Sequence, residues 1–569
     1  MRFAAASLFA LFVFALTPSL ASADPVPAVP GADWSQATIE STDGVELHAD
    51  VLRPANLPKD AKTPVIVSIG PYFNHSGEVG PAAAIEDATY DPIGPSSGPS
   101  GRFFDFVNGA KLMERGYTFV MVDLRGFGGS TGCLDWGGPG EQSDVVSAVE
   151  WAAAQPWSNG KVGMYGKSYD GVTGLIGANK RPQGLAAVVA QEPVYDLYRY
   201  LYGDGMRRLN SAATPALYNL IALTPGPLLD SPSYNVAAAQ SNGCLVQNQL
   251  DQTADDDHSS EYWKQRTLID GAKGSNVPLF LTQGLTENNT VADGMAQYLE
   301  NHTGHEQGWL GPWEHVRGNE RDESGRLKMG RAGWFDETMR FYDRFLKGVK
   351  PRVQDPKWAI QTNDGKWFAE DSWKPASARA LTSTLRSGTY NDDAGGNATG
   401  SGAHEGLWTI SKPLANEAHL AGSGRVTLDV TKSLPTAANL VVDVYDLDGK
   451  GTGPLITRQG HLVRGDGTLT LDLWSADWKI AKGHRLGVRI TDANDDWWIH
   501  TGLPLGQAVT VKGGSIALPF QTVARKRAIQ GDPGVQLEDY LSETVTVPAD
   551  TISSSESPGF ALPGPQKGR

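Results

Sequence analysis

From Val45 to about Lys347 the chain repeats one pattern, a short continuous apolar run followed by an amphipathic stretch long enough for a helix. The runs Val45 to Leu52, Pro64 to Ile69, Tyr117 to Asp123, Val162 to Tyr165, Ala186 to Ala190 and Pro278 to Thr282 do not alternate with polar residues. Runs of that kind suit strands buried on both faces of a parallel sheet. Helical segments such as Gln142 to Ala154, Ala292 to His302 and Trp334 to Leu346 separate them, which predicts an α/β fold. After Gly348-Val349-Lys350-Pro351 the period changes to two, as in Val426, Leu428, Val430 and Leu469, Leu471, Leu473. From there to Pro548 the pattern predicts an all-β sandwich or jelly roll.

These changes divide the chain. Residues 1–23 carry Arg2, an apolar run from Phe3 to Leu16 and the small residues Ala21-Ser22-Ala23, the layout of a cleaved export signal. Residues 24–194 and 274–350 form the α/β domain, and 195–273 interrupt it as a helical cap over the carboxyl end of the sheet. Residues 351–548 form the β domain, and the Ser, Pro and Gly of 549–569 predict a disordered tail. With 49 basic against 64 acidic side chains, a net charge of −15, the chain is not built to hold nucleic acid or an anionic membrane by charge. Its two cysteines exclude a disulfide miniprotein and a multi-cysteine zinc site. In an exported protein Cys133 and Cys244 are expected to pair, tethering the cap beside the site.

The most informative stretch is Val162 to Gly171, where an apolar strand runs through Gly166-Lys167-Ser168 into a predicted helix start. That is the layout of a nucleophile elbow, in which small residues flank a serine on a strained turn. Gly98-Pro99-Ser100 and Gly128-Gly129-Ser130 also match Gly-x-Ser, so the preceding strand carries the assignment. The same stretch imitates the end of a phosphate loop, but position 161 is Lys where that loop needs Gly. A nucleophilic serine needs a base and an orienting acid, which in this layout follow it in the order Ser, acid, His. Glu287 lies just beyond the run ending at Thr282, and His315 follows the short run Trp309-Leu310. Asp270 and Asp293 compete for the acid, and His302 and His305 for the base. Asp123, ahead of the nucleophile, reads as a structural partner of Arg125.

Four ordered motifs carry a resemblance: Asp123 to Ser130, Gln155-Pro156-Trp157-Ser158, Gly166 to Gly171, and Gly311-Pro312-Trp313-Glu314-His315. Together they resemble the X-Pro dipeptidyl-peptidases (peptidase family S15) and the cocaine esterase-like hydrolases, over nearly the whole mature chain. The resemblance implies an α/β-hydrolase domain with a helical cap and a C-terminal jelly roll. It implies Ser168 as nucleophile, His315 as base, and Glu287 where the family usually has Asp. It also implies an oxyanion hole made by the Tyr72 hydroxyl and the Tyr169 backbone amide. The expected chemistry is acyl transfer on a small ester or peptide, without metal or organic cofactor. Among these relatives, X-Pro dipeptidyl-peptidases, α-amino acid ester hydrolases, acylases and cocaine esterase share the triad and differ in the pocket. An exopeptidase must also hold a free amine, for which Asp255-Asp256-Asp257 or Glu192 are candidates. The non-enzymatic alternative is a catalytically silent protein whose jelly roll binds a surface polymer. Oligomeric state is not legible.

Overall fold

The structure is a computed structural model and describes residues 29–75, 98–224, 242–394, 406–494, 496–501 and 506–567, with Tyr234, Ala237 and Gln240. The expected export signal lies outside the described residues. Strands β1 (Ala32–Glu40), β2 (Glu46–Pro54), β3 (Thr63–Gly70), β4 (Thr118–Asp123), β5 (Ser158–Lys167) and β6 (Leu185–Gln191) precede a cap. Within the cap lies the hairpin β7 (Tyr202–Gly203) and β8 (Met206–Arg207), and β9 (Leu279–Gly284), β10 (Glu306–Gly311), β11 (Trp358–Gln361) and β12 (Trp367–Glu370) follow it. Among the described residues the main sheet has eleven strands in the order β1-β2-β4-β3-β5-β6-β9-β10-β11-β12, closed at its far edge by β22 (Ala528–Ile529). Pairing is parallel from β4 through β11 and antiparallel outside that block.

Every residue of β3, β4 and β9 is buried, which explains their unbroken apolar runs. Val65, Val67 and Ile69 face one core with the helices Pro139–Ala154 and Tyr169–Lys180, whereas Ile66 faces a second core with Phe106, Met339 and Phe341. The two-residue period of the strand thus serves two apolar layers at once. Between β6 and β9 run the helices Leu197–Leu201, Leu209–Ala222, Leu245–Thr253, Glu261–Lys264 and Leu268–Gly271. A disulfide joins Cys133, on the loop after β4, to Cys244 at the start of Leu245–Thr253, with 5.7 Å between their Cα atoms.

The C-terminal part packs two sheets. One has β13 (Ala378–Leu385), β21 (Gln507–Gln521), β16 (Ala418–Lys432) and β19 (Gly467–Ile480), with β14 (Gly388–Asp392) also on β21. The other runs β15 (Leu407–Ile410), β20 (Arg485–Thr491), β17 (Ala438–Leu447), β18 (Thr452–Val463) and β23 (Thr544–Thr546). Val426, Leu428 and Val430 of the first meet Val442 and Val444 of the second in one core, as the alternating pattern requires.

Two expectations need correcting. The boundary at residue 351 falls too early for the main sheet, because β11 pairs with β10 and β12 extends it further. The backbone of Gly308 to Leu310 would otherwise form an open edge, and strand pairing outweighs the change in sequence texture. The tail is not disordered. Ala549–Ser555 is helical, Ser557 N donates to Ile410 O at 2.8 Å, and Phe560 is buried against the sandwich core with Leu562 beside it. Two apolar anchors outweigh the Ser, Pro and Gly around them.

Candidate active site

Ser168 stands at the carboxyl end of β5 and opens the helix Tyr169–Lys180, with φ +65° and ψ −126°. A non-glycine residue held there is strained, and such strain is stored where a side chain must project from a sharp turn. The turn admits no side chain at Gly166, whose Cβ would come within 2.2 Å of Asp170 O. Asp170 occupies the place where the strict motif has a second glycine. Its carboxylate turns into the space above Gly70, where a Cβ would lie 1.5 Å from Asp170 Oδ1, and receives Arg102 Nε at 2.6 Å. Asp170 is therefore tolerated because Gly70 makes room for it and Arg102 balances its charge.

β6, β9 and β10 follow β5 across the sheet, so their carboxyl ends lie side by side with the serine turn. Glu287 is buried just past β9, and His315 lies four residues beyond β10. His315 Nδ1 is 2.5 Å from Glu287 Oε1, so that Nδ1–H donates to the carboxylate. Thr290 N and Oγ1 donate to the same oxygen at 2.9 and 2.6 Å, and Gln283 Nε2 donates to Oε2 at 2.9 Å. Burial pushes the Glu287 carboxyl up, but the charge and hydrogen bond of His315, with the other donors, hold it down to about 2. Gln191 joins the two loops: its carbonyl accepts from Ser168 N at 2.9 Å, and its Oε1 accepts from Gly318 N at 3.0 Å. Gly284 allows the β9 end to touch the histidine loop, since a Cβ there would sit 2.1 Å from Trp313 O.

Tyr72 follows β3 and is buried, its hydroxyl 2.6 Å from the Tyr218 hydroxyl of the cap, with the Arg102 guanidinium 3.9 Å above its ring. Tyr169 follows the serine directly, and its side chain donates to Glu141 at 2.7 Å. Around them Trp136, Tyr169, Tyr200 and Tyr218 form an aromatic wall with ring centroids 5.3 to 5.8 Å apart.

Three of the competitors for acid and base are engaged elsewhere. His302 is buried and bonded to Val277 O and Glu306, Asp293 pairs with Arg199, and Asp270 pairs with Lys273 on the surface. Asp123 is not the partner of Arg125: it turns toward β2 and pairs with His48, while Arg125 binds Asp144 and Asp43. Asp256 pairs with Arg464, and Asp257 accepts from Ser259. Glu192 is no open amine anchor. It is fully buried behind Glu287, where it accepts from Gly284 N at 2.7 Å and Trp313 Nε1 at 3.0 Å. Burial and the Glu287 charge push it well above the usual carboxylate range. Its place behind Glu287, like the places of Gln283, Thr290 and Tyr218, leaves no trace in the sequence, because no motif marks a residue that acts through another.

Residues 43–317 match the family described as X-Pro dipeptidyl-peptidase (S15 family). A Streptomyces avermitilis protein named "Putative Xaa-Pro dipeptidyl-peptidase" is 25% identical over 600 residues, spanning 86% of this chain and 84% of its own. Cocaine esterase of a Rhodococcus species is 25% identical over 397 residues, 64% of either chain. A CocE/NonD family hydrolase of Staphylococcus aureus superposes with a TM-score of 0.63 at 17% identity, over 85% of this chain and 93% of that one, and shares the fold.

Proposed function

We propose that this chain, a serine hydrolase of the X-Pro dipeptidyl-peptidase and cocaine esterase type, is exported and cleaves Xaa-Pro peptides through an acyl-enzyme. The observation that carries the mechanism is the His315–Glu287 bond at the end of strands adjoining the strained Ser168 turn. Ser168 Oγ attacks the carbonyl carbon while His315 Nε2 takes its proton, and the imidazolium formed is stabilised by Glu287. The proton then passes to the leaving nitrogen, the C–N bond breaks, and the acyl group remains on Ser168. Water attacks the ester with His315 again as base, and Ser168 regains its proton. The Tyr72 hydroxyl and the Tyr169 amide are the donors for the oxyanion of both tetrahedral intermediates.

The wall of Trp136, Tyr169, Tyr200 and Tyr218 supports a flat apolar group, such as a proline ring, next to the scissile bond. Similarity to cocaine esterase favours a second reading, in which that wall receives an aromatic acyl group and the substrate is an ester. Export is supported by the disulfide, and no described helix is long and apolar enough to cross a membrane. A fluorophosphonate probe should label Ser168, and Ser168→Ala should lose the label and about 10⁶-fold in kcat. Labelling that survives Ser168→Ala would overturn the nucleophile. A panel of Xaa-Pro anilides against short acyl esters decides the substrate: turnover of esters alone would reject the peptidase reading.

A further inference from the structure

His48 and Asp50 stand two residues apart on β2, so both project from the same face of the sheet. His75 reaches them from the loop after β3, three residues beyond Tyr72. One ring nitrogen of each histidine and one carboxylate oxygen of Asp50 lie within 4.8 Å of one another. Asp50 is 1% and His75 7% exposed. A second layer of polar groups orients this cluster. Asp123 Oδ2 is 2.9 Å from His48 Nδ1, and Trp34 Nε1 donates to Asp50 Oδ1 at 2.7 Å. Ser100 N donates to Asp50 Oδ2 at 3.3 Å. A histidine whose Nδ1–H is held by a carboxylate presents its Nε2 lone pair, which is how metal-ligating histidines are commonly oriented.

The charges point the same way. Asp50 and Asp123 are both buried carboxylates, and among the described residues no lysine or arginine forms an ion pair with either. Their charge partners are the two histidines, His75 Nε2 at 2.9 Å from Asp50 and His48 from Asp123. Two desolvated negative charges need two positive ones. One divalent cation held by the cluster supplies both.

We propose that His48, Asp50 and His75 bind one divalent transition-metal ion, and that the ion clamps the Tyr72 loop to β2. Two imidazoles and one carboxylate suit zinc best among common cations. Gln36 Oε1, 3.2 Å from His48 Nε2, or a water takes the fourth place. The ion is structural and forms no bond to the substrate.

The test uses the mature chain without a histidine tag, stripped with EDTA, dialysed, and titrated with zinc chloride near neutral pH. Metal per chain is measured by mass spectrometry after gel filtration, together with thermal melts. One zinc per chain is expected, with a rise of several degrees in Tm that EDTA reverses. His48→Gln and Asp50→Asn should lose both the zinc and the Tm response. Cobalt in place of zinc should give visible bands in the wild type that Asp50→Asn lacks, a readout of ligation independent of stability. Wild-type protein that retains no zinc overturns the proposal, as does zinc retained equally by a His48→Gln/His75→Gln double variant.

Discussion

At the scale of single residues, the site depends on side chains whose partners are set by close packing. Tyr72→Phe removes one of two proposed oxyanion donors and should lower kcat by about 10²- to 10³-fold with little change in KM, read from steady-state kinetics. The same substitution breaks the Tyr72–Tyr218 contact, so Tyr218→Phe is its control: a similar loss there would assign the effect to the cap. Glu314, half-buried beside His315, is pushed up to about 7 by burial and by the Glu287 charge. Its folded form holds a proton more tightly than the unfolded chain, so stability falls as pH rises from about 4.5 to 7, and the loss is complete above 7. Glu314→Gln keeps the bond from Asn288 N and should raise Tm at pH near 8 but not near 4.5. Equal effects at both values would show that the carboxyl is not perturbed.

At the scale of elements, the loop after β4 and the cap are connected covalently through Cys133 and Cys244. Closing a loop of 111 residues restricts the unfolded chain by about 4 to 5 kcal/mol on the chain-entropy model. A Cys133→Ser/Cys244→Ser double variant should show that deficit, or less if strain offsets it, in denaturant unfolding. The contact between the end of β9 and the histidine loop is equally constrained. Gly284→Ala places a methyl against Trp313 O, and it should lower activity more than stability because the displaced loop carries His315.

At the scale of the whole molecule, the two halves are interwoven. A segment returning from the sandwich pairs β22 with β12, places Asp532 N on Gly330 O and Val535 N on Lys328 O, and accepts Glu314 N on Gln536 Oε1 at 3.0 Å. The β domain thus braces the loop that carries His315. A chain ending at residue 350 should therefore lack fluorophosphonate reactivity even if expressed in soluble form. Gln536→Ala, which removes one hydrogen bond worth about 1 kcal/mol, should reduce kcat roughly fivefold. The ordered tail belongs to the same scheme: Phe560→Ala should cost about 3 to 5 kcal/mol in calorimetry of the intact chain.

Much of the fold was legible in the sequence because burial on both faces leaves a local signature. The six apolar runs named from the sequence overlap β2, β3, β4, β5, β6 and β9, and the switch to alternation after Lys350 marks the sandwich. The sharp turn at Ser168 and the meeting of Glu287 with His315 left traces in motif and order, since such a turn needs small neighbours and the two residues follow successive strands. Tertiary structure alone decided which groups meet across long separations. It moved β11 and β12 onto the main sheet, anchored the tail by Phe560, turned Asp123 to His48 instead of Arg125, and hid Glu192 behind Glu287. Each of these depends on the direction of a side chain or the open edge of a strand, and neither is written in the spacing of residues along the chain.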